Sequence, residues 1–147
     1  MDRVGTVTAP LVGMSEHSYE QQPGEVRIQL EGPSIEDVFD EAARALAELL
    51  ATPTEDPPGA WVHVLIESAE PRALLARWCN ELIERTAVDQ LVYADIEIDE
   101  VTDQLVRARI RGVPIGALRT SVKIATMHDL RIETGPDAVI ASVIVQV

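Results

Sequence analysis

The sequence predicts an α+β fold, with two helices packed on one face of a largely antiparallel sheet in the order β-α-β-α-β-β-β-β. Three observations lead there. Several short segments alternate apolar and polar residues with a period of two. Two longer segments repeat apolar residues every three or four positions. Proline- and glycine-bearing turns separate most of them.

The elements follow in order. Glu25 to Glu31 alternates, with Val26, Ile28 and Leu30 on one side and Arg27 and Gln29 on the other, which predicts a strand with one wet face. Gly32-Pro33 ends it. Ser34, three residues before Asp37, has the spacing of an N-cap and an approximate capping box. The helix it opens carries Val38, Ala42, Ala45, Leu46, Leu49 and Leu50 on one side, flanked by Phe39. Three prolines and a glycine make 51–59 a loop. Trp61 to Glu67 alternates again as a second strand. Pro71 suits a first helical turn, and Leu74, Leu75, Trp78, Leu82 and Ile83 form the stripe of the second helix.

Segments 93–99 and 105–111 predict a hairpin. Centred on Thr102, it places Ile96 opposite Ala108, Ile98 opposite Val106, Glu97 opposite Arg107 and Asp95 opposite Arg109, each pair contributing about 0.2–1 kcal/mol. A loop over 112–120 contains Gly112, Pro114 and Gly116. Two strands follow, one from Val122 to Ile132 and one from Val139 to Val147, joined by Gly135-Pro136-Asp137. In the first of them Val122, Ile124, Thr126, His128, Leu130 and Ile132 share a face. Lys123, Ala125, Met127, Asp129 and Arg131 share the other.

A chain of 147 residues fits one domain. Residues 1–18 are small, polar and unpatterned and read as a flexible N-terminal extension, leaving 19–147 as the domain. No segment reads as a secretory signal or a membrane span. The single Cys79 excludes an internal disulfide and a cysteine cluster for zinc, and fits a reducing, cytoplasmic compartment. The net charge of −13 argues against broad binding to a nucleic-acid backbone, which needs clustered Lys and Arg. An acidic surface serves solubility, or docking on a basic protein partner.

Few residues suggest chemistry. His128, inside an apolar strand face, reads either as a satisfied core histidine or as a ligand or proton relay; His63 poses the same choice. Glu25, opening its strand after Pro23-Gly24, reads either as a solvated edge carboxylate or as an oxygen ligand for a hard cation. The acids of 95–100 and the row Arg107, Arg109, Arg111 neutralise each other across the hairpin. Cys79, beside Trp78 and Leu82, reads as a buried thiol. No phosphate loop, dinucleotide-binding motif, zinc-protease motif or nucleophile elbow occurs, so no recognisable enzyme class is indicated.

Three stretches together carry a family resemblance. Lys123, Thr126, His128 and Leu130 form a K-x-x-T-x-H-x-L core ahead of a final strand. Pro33 to Ala43 looks like a first helix of matching pattern. Leu74-Leu75-Ala76-Arg77-Trp78-Cys79-Asn80-Glu81-Leu82 carries L-L-x-x-W-x-N-E-L. Over roughly 19–147 the chain resembles the archease family. The resemblance implies a small, non-catalytic α+β protein that assists an RtcB-type RNA ligase in tRNA splicing, helping it to become guanylylated and to turn over.

It also implies a divalent-cation site. In the family that site takes an acid from an N-terminal H-T-x-D/E segment and an acid from the last strand. Here the matching segments are Gln22-Pro23-Gly24-Glu25 and Gln146-Val147. Glu25 keeps an acid, whereas Gln146 is a neutral amide, so the expectation is a weak or lost Ca²⁺ or Mg²⁺ site and no other cofactor. A second register, matching Glu16-His17-Ser18 to E-H-T, needs an insertion before the strand. Two further readings stay open: a diverged protein-binding domain, and a small enzyme using Glu25 and His128 as an acid–base pair. If the shared site persists, Glu25 and Gln146 lie on neighbouring strands.

Overall fold

A computed structural model describes residues 14–147. The expected extension over 1–18 lies mostly outside the described residues, but not its end. Strand β1 runs over Glu16–Gln22 and pairs antiparallel with β2, Glu25–Gly32. Pro23 and Gly24 are therefore the two central residues of a tight hairpin turn. Gly24 has φ +76°, which glycine adopts without a steric penalty after a proline. The order is thus β-β-α-β-β-α-β-β-β-β among the described residues, two strands more than the sequence suggested.

Helix α1 spans Ile35–Leu50. Ser34 caps it as expected: its Oγ accepts from the Asp37 N–H at 3.3 Å and donates to the Asp37 carboxylate at 2.7 Å. Every residue of the expected stripe is buried, and so is Phe39, which widens the stripe. The helix passes directly into β3, Ala51–Pro53, where a loop was expected. Strand β4 spans Val62–Glu67 and buries Val64 and Ile66. Helix α2 spans Pro71–Asp89, with Pro71 in its first turn and Glu70 as N-cap, accepting from the Ala73 N–H at 2.8 Å.

Strands β5 (Leu91–Val101) and β6 (Leu105–Leu118) form the expected hairpin in a different register. Glu97 lies opposite Arg109, Ile96 opposite Ile110, Ile98 opposite Ala108 and Asp95 opposite Arg111. The shift comes from the turn. Thr102 stands at its edge and not at its centre: its Oγ1 accepts from the Gln104 and Leu105 N–H groups, each at 3.1 Å. Beside the turn the slip is three residues, with Val101 opposite Val106, and a bulge at Ile98/Glu100 takes one back to leave two. A slip of two residues keeps every side chain on its face, so apolar still meets apolar. Acid still meets base, with Glu97–Arg109 at 2.7 Å and Asp95–Arg111 at 2.8 Å.

β6 also runs on to Leu118 through the expected loop. Its glycines serve close approach instead of a turn. A Cβ on Gly112 would stand 2.7 Å from the Leu91 Cβ, and one on Gly116 would stand 3.2 Å from the Thr52 and Pro53 carbonyl oxygens. Strands β7 (Ile124–Thr134) and β8 (Val139–Gln146) complete the elements of the described residues.

Among the described residues the strands are antiparallel, as expected, but divide into two sheets of four. One has the order β1-β2-β8-β7. In the other, long β6 pairs with β5 along one edge and with β4 and β3 along the other. Both helices contact both sheets, and one continuous core results. Two side chains of the L-L-x-x-W-x-N-E-L stretch tie it together. The Trp78 Nε1–H donates to the Phe39 carbonyl at 2.9 Å, joining α2 to α1. The Asn80 amide makes two bonds to the backbone of Ala125: its Oδ1 accepts from the N–H at 2.7 Å and its Nδ2 donates to the carbonyl at 3.0 Å. Arg72 donates to the Leu130 carbonyl at 3.0 Å. Helix α2 thereby covers the outer edge of β7, a row of backbone groups that would otherwise offer itself for pairing.

Candidate functional site

Three strand ends meet at one edge of the first sheet. Glu25 begins β2, Gln146 ends β8, and Ile124 begins β7. Glu25 stands opposite Gln146, and Gln146 opposite Ile124. Backbone bonds close the corner: the Val147 N–H donates to the Gly24 carbonyl at 3.0 Å, and the Lys123 N–H to the Gln146 carbonyl at 2.8 Å. Directly opposed residues in antiparallel strands project from the same face. Glu25, Gln146 and Ile124 therefore share one face, with Lys123 adjoining. The expected neighbourhood of Glu25 and Gln146 is present. Glu25 is half-buried, and Gln146 and Lys123 are exposed.

The donor set at this corner is one carboxylate, one neutral amide and backbone carbonyls. Among the described residues, no three His, Cys, Asp or Glu side chains converge as a metal-binding group. A hard cation that relies on anionic oxygens finds half of the expected pair here.

The other motif residues separate. Thr126 donates through Oγ1 to the Ile144 carbonyl at 3.3 Å, a bond that pins β7 to β8. His128 is not in an apolar face; its side chain is 75% exposed, 3.8 Å from the Asp129 carboxylate. The cause is a bulge between Thr126 and Arg131, in which Asp129 takes φ +53°. The extra residues reverse the alternation. Before the bulge Ala125 is buried and Ile124 is 45% exposed; after it Leu130 is buried. Among the described residues no hydrogen bond or ion pair joins Glu25 to His128, whose carboxylate neighbour is Asp129. His63 is exposed on β4. Cys79 is buried as expected, and burial pushes its thiol up to about 12. Trp61 packs on the arginine row, 4.4 Å from the Arg111 guanidinium.

A second cluster lies in the segment read as the end of an extension or, in the second register, as the family's E-H-T. His17 of β1 reaches α1 with both ring nitrogens, Nδ1 to the Glu41 carboxylate and Nε2 to Glu48 at 3.1 Å. Glu41 is 7% exposed, one of two buried polar side chains in the described core. Beside them Tyr19 donates to the Ala45 carbonyl at 2.6 Å. The cluster borders a cleft of about 420 Å³ that Arg44, Thr52 and Arg119 also line. The alternation of His17 and Tyr19 between Glu16, Ser18 and Glu20 was the available signal for this strand.

The family model described as "Archease protein family (MTH1598/TM1083)" matches residues 18–147. This chain belongs to the archease family. The archease of Methanopyrus kandleri is 30% identical over 105 residues, covering 67% of this chain and 75% of that protein. The archease of Methanosarcina barkeri is 21% identical over 140 residues, covering 90% and 96%. The fold is that of Methanobacterium thermoautotrophicum protein 1598, known from a solution structure (TM-score 0.73, 23% identity, 89% of this chain and 98% of that one). It is also that of a Thermotoga maritima archease described as a possible chaperone (TM-score 0.65, 16% identity, 89% and 100%). Against that archease frame, Trp78, Asn80 and Thr126 are explained as packing and backbone-binding residues. Lys123, Glu25 and Gln146 are the motif positions left at an accessible corner.

Proposed function

We propose that this chain is an accessory protein of an RtcB-type RNA ligase in tRNA splicing or RNA repair. It acts by docking on the ligase and catalyses no reaction itself. The observation that supports this most is family membership over nearly the whole domain, together with the meeting of Glu25, Lys123 and Gln146 at one exposed corner. The net charge of −13 suits a basic protein partner in the cytoplasm and disfavours direct contact with RNA backbone. Among the described residues no helix is long and apolar enough to cross a membrane. The test is a multiple-turnover ligation assay with the ligase from the same genome. Adding this chain should raise joined RNA well above one product per ligase. An unchanged yield contradicts the proposal and favours a protein-binding domain with another partner.

The proposal includes a degenerate cation site at Glu25 and Gln146. Titrated with Ca²⁺ or Mg²⁺, the protein should bind weakly and gain little in Tm, because a ligand stabilises a fold only by RT ln(1 + [L]/Kd). Gln146→Asp should restore a second anionic oxygen donor and raise both affinity and the metal-dependent Tm shift. Tight binding by the unmodified protein that survives Glu25→Ala would show that the ligands lie elsewhere.

A further inference from the structure

We infer that His17 is a protonation-dependent latch holding the N-terminal strand β1 on helix α1, released as pH rises. The geometry carries it. β1 is an edge strand, paired only with β2 among the described residues. Its inner face reaches α1 through two side chains, His17 and Tyr19. Both nitrogens of the His17 ring face carboxylates, which accept and cannot donate. An imidazolium satisfies both contacts; a neutral imidazole has one N–H and must turn a lone pair toward the other carboxylate. Glu41, buried, then faces that ring without a neutralising charge.

The surroundings offer limited substitutes. From α1, Arg44 lines the same cleft, but its Nε is held by Asp40 at 3.1 Å. From the end of β6, Arg119 lines the cleft and is exposed. From β1, the Tyr19 ring meets His17 edge-on at 5.4 Å. β2 places Leu30 opposite His17, and β5 adds Val92 and Ala94 to the cleft, none of them charged.

Burial pulls the His17 ring down, but its bonds to Glu41 and Glu48 and their negative charges outweigh that, leaving it above the ordinary 6.5. A histidine raised on folding contributes stability that is fully present below its unfolded value and is lost as pH rises through the folded value. The latch is therefore closed below the ordinary histidine value and opens as pH rises through the raised value of the folded state. Opening frees β1 from α1 and loosens the edge of β2, the strand that carries Glu25.

The test is amide-exchange protection of β1 in the full chain, at about pH 6 and about pH 9, with β8 as internal reference and the His17 ring titrated by NMR. Protection of β1 should fall by roughly tenfold relative to β8 across that range, the change that accompanies about 1.4 kcal/mol. In Glu41→Gln the side-chain amide can donate to or accept from a neutral ring, so the pH dependence of β1 should flatten while the fold persists. Equal protection at both pH values, a ring titrating at or below 6.5, or an unaltered fall in Glu41→Gln would each overturn the latch.

Discussion

Trp78→Ala should lower the free energy of unfolding by about 3–5 kcal/mol, the range for removing a large aromatic side chain from a core. Trp78 is fully buried, its ring lies 6.4 Å from that of Phe39, and its indole N–H is spent on the Phe39 carbonyl. The residue joins the two helices, so the cavity falls between them. Trp78→Phe keeps most of the volume and loses the donor, and should cost clearly less. Denaturant unfolding followed by circular dichroism gives both values. Equal stability of the wild type and Trp78→Ala would mean that α2 is not packed as described.

Asn80→Leu is the second large effect. It strips partners from both the N–H and the carbonyl of Ala125, and an abandoned buried group costs about 1–3 kcal/mol. Asn80→Asp keeps an acceptor for the N–H and loses the donor for the carbonyl, so its cost should be smaller. Exchange of the Ala125 amide should speed up in Asn80→Leu more than in Asn80→Asp. Unaltered exchange in both would show that β7's edge is covered by something other than this side chain.

Both residues were legible as parts of a helical pattern, but only Trp78 was legible as core. The reason is general to this chain. Burial follows periodicity, so the stripes of both helices and the inner faces of β2 and β4 could be read from spacing. Polar side chains that bond to a distant backbone leave no periodic trace, and Asn80 is of that kind. The errors have physical causes too. Gly112 and Gly116 signalled a loop, yet they are there because β5 and β3 come too close for a Cβ. His128 shares its sequence phase with Ile124 and Leu130, but a bulge between Thr126 and Arg131 reverses the alternation, so that phase is buried only at Leu130. The hairpin of β5 and β6 satisfies charge and apolarity in two registers two residues apart, and the turn at Thr102 together with the bulge at Ile98/Glu100 sets the one observed.

The candidate corner was legible through family pattern alone. Nothing in composition or spacing joins Gln22-Pro23-Gly24-Glu25 to Gln146. The antiparallel pairing of β2 with β8 does so, because it aligns the start of one strand with the end of the other. The His17 cluster was missed because a seven-residue strand with a single aromatic residue looked like a tail. Its partners Glu41 and Glu48 lie two helical turns apart on α1, a spacing that puts them on one face only once α1 is known to be a helix.

In the proposed role the chain serves an RNA ligase through the corner of Glu25, Lys123 and Gln146. Guanylylation of the ligase, followed with labelled GTP in the presence and absence of this chain, tests it most directly. Guanylylation should be faster or more complete with the wild-type chain, and that gain should be lost with Lys123→Glu at unchanged Tm. Guanylylation indifferent to the wild-type chain, or equally stimulated by Lys123→Glu, would contradict it.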